Sequence, residues 1–197
     1  MAGQLMTRNQ TAIDSEDALI ERLRRGDEAA FEALFLRHYD QVYRVLYHLV
    51  GTREEAEDLA QETFLALYHH PPAPGRGVAL IGWLCRVALN RGYNALRGQR
   101  RAQHRIERLA EPPEQIDPHR EALRAEERER VRAALAALPG RQGRLLLLRY
   151  AGLSYGEIAA ALDVAATSVG TLLARAERAF LAVYEREESG ARSQESE

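Results

Sequence analysis

The chain has no lysine, one cysteine among 197 residues, and no apolar run long enough to cross a membrane. A single cysteine excludes an internal disulfide and a cysteine-rich metal site. A membrane helix needs roughly 18 or more apolar residues in a row. The first 25 residues also lack the basic-then-apolar order of a signal peptide. These absences predict a soluble, cytoplasmic chain with no membrane insertion. A glycine-rich phosphate cradle and a nucleophile motif are missing too, so no enzyme chemistry, cofactor or metal is expected. His69 and His70 are helix neighbours that point apart and make a poor metal pair. With no lysine, all 27 basic residues are arginine, which reads as the codon usage of a GC-rich genome.

What is present is mostly helix former and charge. The net charge of −2 hides a strong asymmetry. Residues 1–70 carry 7 Arg against 13 acids, residues 71–110 carry 8 Arg against one acid, and residues 111–197 carry 12 against 15. An acidic segment, a basic one and a mixed one point to a polyanion together with a separate basic partner.

Strand-like alternation is absent, and helical spacing recurs in block after block. A short helix is predicted around 15–25 and ends at Gly26, and Asp27 caps a second that runs to about Val50. Thr52 and Glu55 form a capping box for a third, whose Ala56, Leu59, Ala60, Thr63, Phe64 and Leu67 share one stripe. Prolines and glycines at 71–77 break the chain before a fourth helix from about 78 to 101 or beyond. The polar, proline-bearing run at 110–118 reads as a linker. The predicted fold is all-α: two small helical domains joined by a flexible linker, the C-terminal one containing a helix-turn-helix. The boundaries are a frayed 1–14, a first domain at 15–108, a linker at 109–120, a second domain at 121–184, and a disordered acidic tail at 185–197.

Two helices carry chemistry on their outer faces. On the third, Glu54, Asp58, Gln61, Glu62 and Leu65 lie opposite the apolar stripe. Acids in the first turn are explained by the helix dipole, but Asp58 and Glu62 in later turns are not, and they suit a basic protein partner. On the fourth, Ile81, Cys85, Ala88, Leu89, Gly92 and Leu96 form a buried stripe. Arg86, Asn90, Tyr93, Arg97, Arg100 and Arg101 form another, and no acid falls between Trp83 and Ile106. Arginine pairs with phosphates, asparagine can read a base edge and tyrosine can stack on an unpaired base. Further on, Ser154 and Glu157 form a second capping box, followed by helix-turn-helix spacing across a turn at 163–165.

Four blocks in order resemble the bacterial RNA polymerase sigma factors of the extracytoplasmic-function (ECF) class, within the sigma-70 family. They are Asp-Glu-Ala-Ala-Phe-Glu-Ala-Leu-Phe at 27–35 with Tyr39, and Ala-Glu-Asp-Leu-Ala-Gln-Glu-Thr-Phe at 56–64. Next come Trp-Leu-Cys-Arg-Val-Ala-Leu-Asn at 83–90, and Leu-Ala-Ala-Leu-Pro at 135–139 with 145–150 and 153–159. The resemblance implies that Asp58, Gln61 and Glu62 dock on core RNA polymerase. It places residues 71–78 near a flipped base of the minus-ten element, and Asn90, Arg97, Arg100 and Arg101 on the melted promoter DNA; Arg86 and Tyr93 are expected to join them because they share the same helical face. The C-terminal helix-turn-helix would read the minus-thirty-five element. An anti-sigma factor wedged between the domains is a further partner the resemblance implies.

The recognition helix departs from the family. Relatives usually place basic residues where Gly170 and Leu172 stand, and often a histidine at Ala174. Thr167, Ser168, Thr171, Arg175 and Arg178 remain as polar contacts, and Leu172 is expected to be free to meet solvent or a partner protein. A polymerase-independent helix-turn-helix regulator is the alternative reading. The acidic third helix discriminates, because a stand-alone DNA binder has no use for it.

Overall fold

Glu16 ties three helices together at the start of the fold. The structure, a computed structural model, describes residues 15–73, 80–106 and 119–194, all of them helix or short connection. The helices are α1 (Glu16–Arg24), α2 (Glu28–Val50), α3 (Arg53–His69), α4 (Leu80–Ile106), α5 (His119–Ala137), α6 (Gly140–Tyr150), α7 (Tyr155–Leu162) and α8 (Ala166–Gln194). The expected frayed N-terminus, residues 74–78 of the proline loop and residues 109–118 of the linker lie outside the described residues.

Local chemistry sets the helix ends. Ser15 Oγ accepts from the Ala18 amide at 3.2 Å and opens α1, whose first turn carries Glu16 and Asp17 and whose last carries Arg22 and Arg24. Asp27 does two jobs at the next corner. Its Oδ1 accepts from the Ala29 and Ala30 amides, and its Oδ2 accepts from Arg22 Nε at 2.8 Å. Gly51 ends α2 in the left-handed region, at φ 85°. At α3 the expected capping box does not form: Thr52 makes no side-chain cap hydrogen bond. Glu55, its would-be partner, accepts instead from Gln99 Nε2 of α4 at 2.8 Å. A tertiary contact has taken the carboxylate that local spacing assigned to the cap.

α3 and α4 pack against α2 and against each other, and α1 lies along α2. Every residue of the predicted α3 stripe is buried, as are Ile81, Cys85, Ala88, Leu89 and Gly92 of α4, with Leu96 half-buried. The second set is built around α8, which α5, α6 and α7 all contact. The two sets are packed together, with α4 on α7 and α2 on α6. The tail differs from the expectation of disorder: α8 continues to Gln194, through most of residues 185–197. Glu, Arg and Ala are good helix formers, and a helix already running into that segment needs no new nucleus.

The Glu16 carboxylate spans α1, α2 and α4. Its Oε1 stands 2.8 Å from His38 Nε2, and its Oε2 accepts from the Leu80 amide at 2.9 Å. The Leu80 amide is an open donor at the N-terminus of α4, where a carboxylate is also favoured by the dipole. The hydrogen bond to His38 holds the Glu16 carboxyl below its ordinary value of 4.5, against the opposing effect of burial. Its charged form therefore stabilises the fold above the unfolded value, and that stability is lost as pH falls through the lower folded value. Glu16→Gln is expected to cost about 1–2 kcal/mol at neutral pH. In thermal melts across pH, the gap to the parent should close in acid. A gap that stays constant down to pH 3 would contradict the assignment.

Candidate polymerase and nucleic-acid interfaces

α3 buries its apolar stripe, which leaves Glu54, Asp58, Gln61, Glu62 and Leu65 exposed on the opposite side. The acids differ in how free they are. Arg53 Nε bonds Glu57 Oε1 at 2.7 Å, and Arg91 Nη1 of α4 bonds Glu62 Oε2 at 2.5 Å. Asp58 and Gln61 have no hydrogen bond or ion pair among the described residues. Leu65, 53% exposed, and Tyr68 continue the face with apolar surface. The arrangement offers acceptors flanked by a greasy edge, which suits a basic helix of another protein better than a duplex.

On α4 the predicted basic stripe is divided. Asn90, Arg97 and Arg101 are exposed. Arg97 Nη2 is steadied by Asn94 Oδ1 at 2.5 Å, and Arg101 Nε donates to the Arg97 carbonyl at 3.2 Å. The Arg100 side chain lies outside the described residues. Arg86, also exposed, and half-buried Tyr93 contact the second helix set. Arg86 donates from Nε to the Ala161 carbonyl at 3.0 Å and from Nη2 to the Ala160 carbonyl. The Arg144 guanidinium lies over the Tyr93 ring, 4.9 Å from its centroid. Burial pushes the Tyr93 phenol up, and the neighbouring Arg144 charge opposes that rise. Nothing in the local pattern of α4 signals these partners. The pair Arg86–Ala161 is 75 positions apart in sequence.

The helix-turn-helix has the local chemistry the sequence implied. Ser154 Oγ accepts from the Glu157 amide at 3.3 Å, and Glu157 Oε2 accepts from the Ser154 amide at 2.7 Å. Asp163 takes the left-handed conformation at φ 56° and lets α8 turn away from α7 by 88°. Thr167, Ser168, Thr171, Arg175 and Arg178 are exposed along α8, while Val169, Leu173 and Ala176 are buried beneath them. Leu172 corrects the expectation that it stands free, because it is half-buried against the core. Gly170 has room: a Cβ there would meet Tyr155 Cε2 at 3.5 Å, an ordinary contact.

The remaining reactive groups are quiet. Cys85 is buried, and burial pushes its thiol up to about 12, so little thiolate forms near neutrality. His69 and His70 are exposed, with ring centroids 6.4 Å apart. Among the described residues no three His, Cys, Asp or Glu side chains gather as a metal site, and no single helix is long and apolar enough to cross a membrane.

The described residues thus combine, in an all-helical fold, an acidic face on α3, a basic helix α4 and a C-terminal helix-turn-helix. Residues 34–102 match the family description Sigma-70 region 2, and residues 128–180 match Sigma-70, region 4. The ECF RNA polymerase sigma factor SigE of Mycolicibacterium smegmatis is 35% identical over 162 residues, which cover 78% of this chain and 61% of that protein. The ECF RNA polymerase sigma-E factor of Haemophilus influenzae is 32% identical over 176 residues, which cover 84% of this chain and 91% of that protein. Among solved structures, CnrH in complex with the cytosolic domain of CnrY shares the fold: TM-score 0.62, 22% identity, 88% of this chain and 99% of that one. The chain belongs to the sigma-70 family, in its ECF class.

Proposed function

We propose that the chain is a dissociable initiation subunit that binds core RNA polymerase, recognises promoter DNA and helps to melt it. In this reading residues 15–108 act as region 2, and residues 121–184 act as the region 4 helix-turn-helix domain. Asp58, Gln61 and Glu62 dock on the core enzyme. Arg86, Asn90, Tyr93, Arg97, Arg100 and Arg101 face the minus-ten strand. Thr167, Ser168, Thr171, Arg175 and Arg178 face the minus-thirty-five duplex. An anti-sigma protein is a further partner, and the chain itself performs no catalysis and works in the cytoplasm.

The observation that carries the reading is the pairing of opposite faces on adjacent helices. α3 presents free acceptors, and α4, packed on it, presents arginines. A stand-alone regulator would be repelled from the duplex by the first, whereas a subunit bridging a basic protein and DNA needs both. The test is a titration of the labelled chain with core polymerase, with and without promoter DNA. Core-dependent retention of the DNA supports the proposal, and DNA binding indifferent to core favours the helix-turn-helix regulator.

The thin recognition helix gives a separate expectation. Gly170→Arg adds a cation where the fold leaves space, and it removes a glycine that weakens a helix by up to about 1 kcal/mol relative to Ala. The variant should bind promoter duplex more tightly, with a salt slope steeper by roughly 0.9 for one added phosphate contact. Unchanged affinity and slope in a filter-binding series would show that α8 does not lie on DNA at that point. Leu172→Arg is the wrong companion, because it would pull a half-buried side chain from the core.

A further inference from the structure

Local chemistry folds the end of α6 back on the start of α7. Gly152 takes the left-handed conformation at φ 88°, and the Leu153 amide returns to the Leu148 carbonyl at 3.1 Å, which closes α6. Leu153 is fully buried and pins the corner. Directly after it, the Ser154–Glu157 capping box fixes the first turn of α7. The corner brings Arg149 of α6 over Tyr155 of α7, with the guanidinium carbon 5.8 Å from the ring centroid. That is within the range of a cation–π contact. The Tyr155 ring is 47% exposed, and its Cε2 edge lies beside Gly170 of α8, 3.5 Å from where a Cβ would stand. One aromatic ring therefore separates a cation from the recognition helix.

The recognition helix needs that cation. No charged residue falls between Asp163 and Arg175, so the outward residues Thr167, Ser168 and Thr171 carry only hydroxyls. Gly170 stands in the middle of this uncharged stretch, with the Arg149–Tyr155 pair at its side. Arg149 is exposed, and its guanidinium makes no hydrogen bond or ion pair among the described residues. Its N–H donors are unspent. A cation in the last turn of α6 is favoured by the helix dipole, which accounts for a basic residue at 149. It does not account for the half-exposed ring beneath the guanidinium, or for the place of that ring against α8.

We infer that Arg149 grips a backbone phosphate of the upstream promoter element beside the recognition helix, and that Tyr155 is the positioning residue that aims its guanidinium. The inference rests on the proposed reading of α8 and extends that DNA-facing surface onto the α6–α7 corner. A planar guanidinium resting on a ring keeps the N–H groups at its edge free for the oxygens of a phosphate. The cation then reaches the backbone from the corner, and the short polar side chains of α8 are left to the groove.

The test uses the full chain with core polymerase and a promoter duplex, titrated across a salt series. Arg149→Gln removes the charge and keeps a polar side chain. Its complex is expected to hold the duplex about eightfold less tightly at 0.1 M salt, with a slope flatter by roughly 0.9, as the loss of one phosphate contact requires. On a fragment cut short of the upstream element, parent and variant should bind alike. Tyr155→Leu should weaken binding to the whole promoter, and Tyr155→Phe, which keeps the ring, should restore it. The loss on Arg149→Gln should shrink in the Tyr155→Leu background. A lowered melting temperature with parental affinity and slope would make the pair a fold contact and overturn the inference. A loss on Tyr155→Phe as large as on Tyr155→Leu would overturn it too, because the hydroxyl rather than the ring would then be what matters. Retention of the duplex by core and parent chain, with an unchanged slope in Arg149→Gln, removes the inference and keeps the proposed function. No retention with the parent chain removes both.

Discussion

Asp58→Arg with Glu62→Arg is expected to reduce affinity for core polymerase by about a hundredfold or more, a loss of roughly 3 kcal/mol. The size follows from turning two attractions into two repulsions at the proposed interface with a basic partner, where close charge pairs couple by about 1.5–7 kcal/mol. The fold should not notice. Both positions are exposed, the apolar stripe beneath them is untouched, and the Glu62–Arg91 pair that is lost lies at the surface. Exposed pairs of that kind contribute at most about 1 kcal/mol. The new cation at 58 stands four residues after Glu54, which supports the helix, and four before the new cation at 62, which opposes it by a similar few tenths of a kcal/mol, so the two effects roughly cancel. Circular dichroism should therefore match the parent, while co-elution with core is lost. Unchanged core affinity in the double variant would remove the docking role of α3.

Arg97→Ala with Arg100→Ala is expected to slow open-complex formation on duplex promoter DNA by at least about tenfold. Arg97 is exposed and aimed by Asn94, so its loss removes a positioned cation without disturbing the core. Pre-melted promoter DNA should recover part of the rate, because strand capture no longer has to drive opening. The salt dependence of single-strand binding should flatten by about 1.4 units if each arginine holds one phosphate. Equal use of both DNA forms at parental rates would mean that this end of α4 is merely solvated.

The sequence was a good guide to faces and a poor guide to what covers them. The stripe from Ala56 to Leu67 is legible because one helical period fixes which residues share a side, and burial follows from their apolar character. The caps at Asp27 and Ser154 and the left-handed turn at Gly51 are equally local, and all three form. Thr52 shows the limit, since its expected partner Glu55 is drawn to Gln99 on another helix. Arg86 and Tyr93 show it more sharply. Their spacing on α4 is right for one face, but periodicity carries no information that α7 and Arg144 lie over that face. Leu172 fails for the same reason, because a neighbour in space half-covers a residue that helical spacing leaves outside the buried stripe. The continuation of α8 to Gln194 was missed because charged composition was read as disorder, although charged residues on an existing helix need no core to stay helical.

The most direct measurement is transcription in vitro with purified core polymerase, this chain and a library of promoter fragments. Transcripts should appear only when core and chain are both present, starting at a discrete set of sites that share two upstream elements. Those transcripts should disappear with the Asp58→Arg, Glu62→Arg variant. Transcription by core that does not depend on the chain, or specific DNA binding by the chain with no transcript from core, would contradict the proposed function.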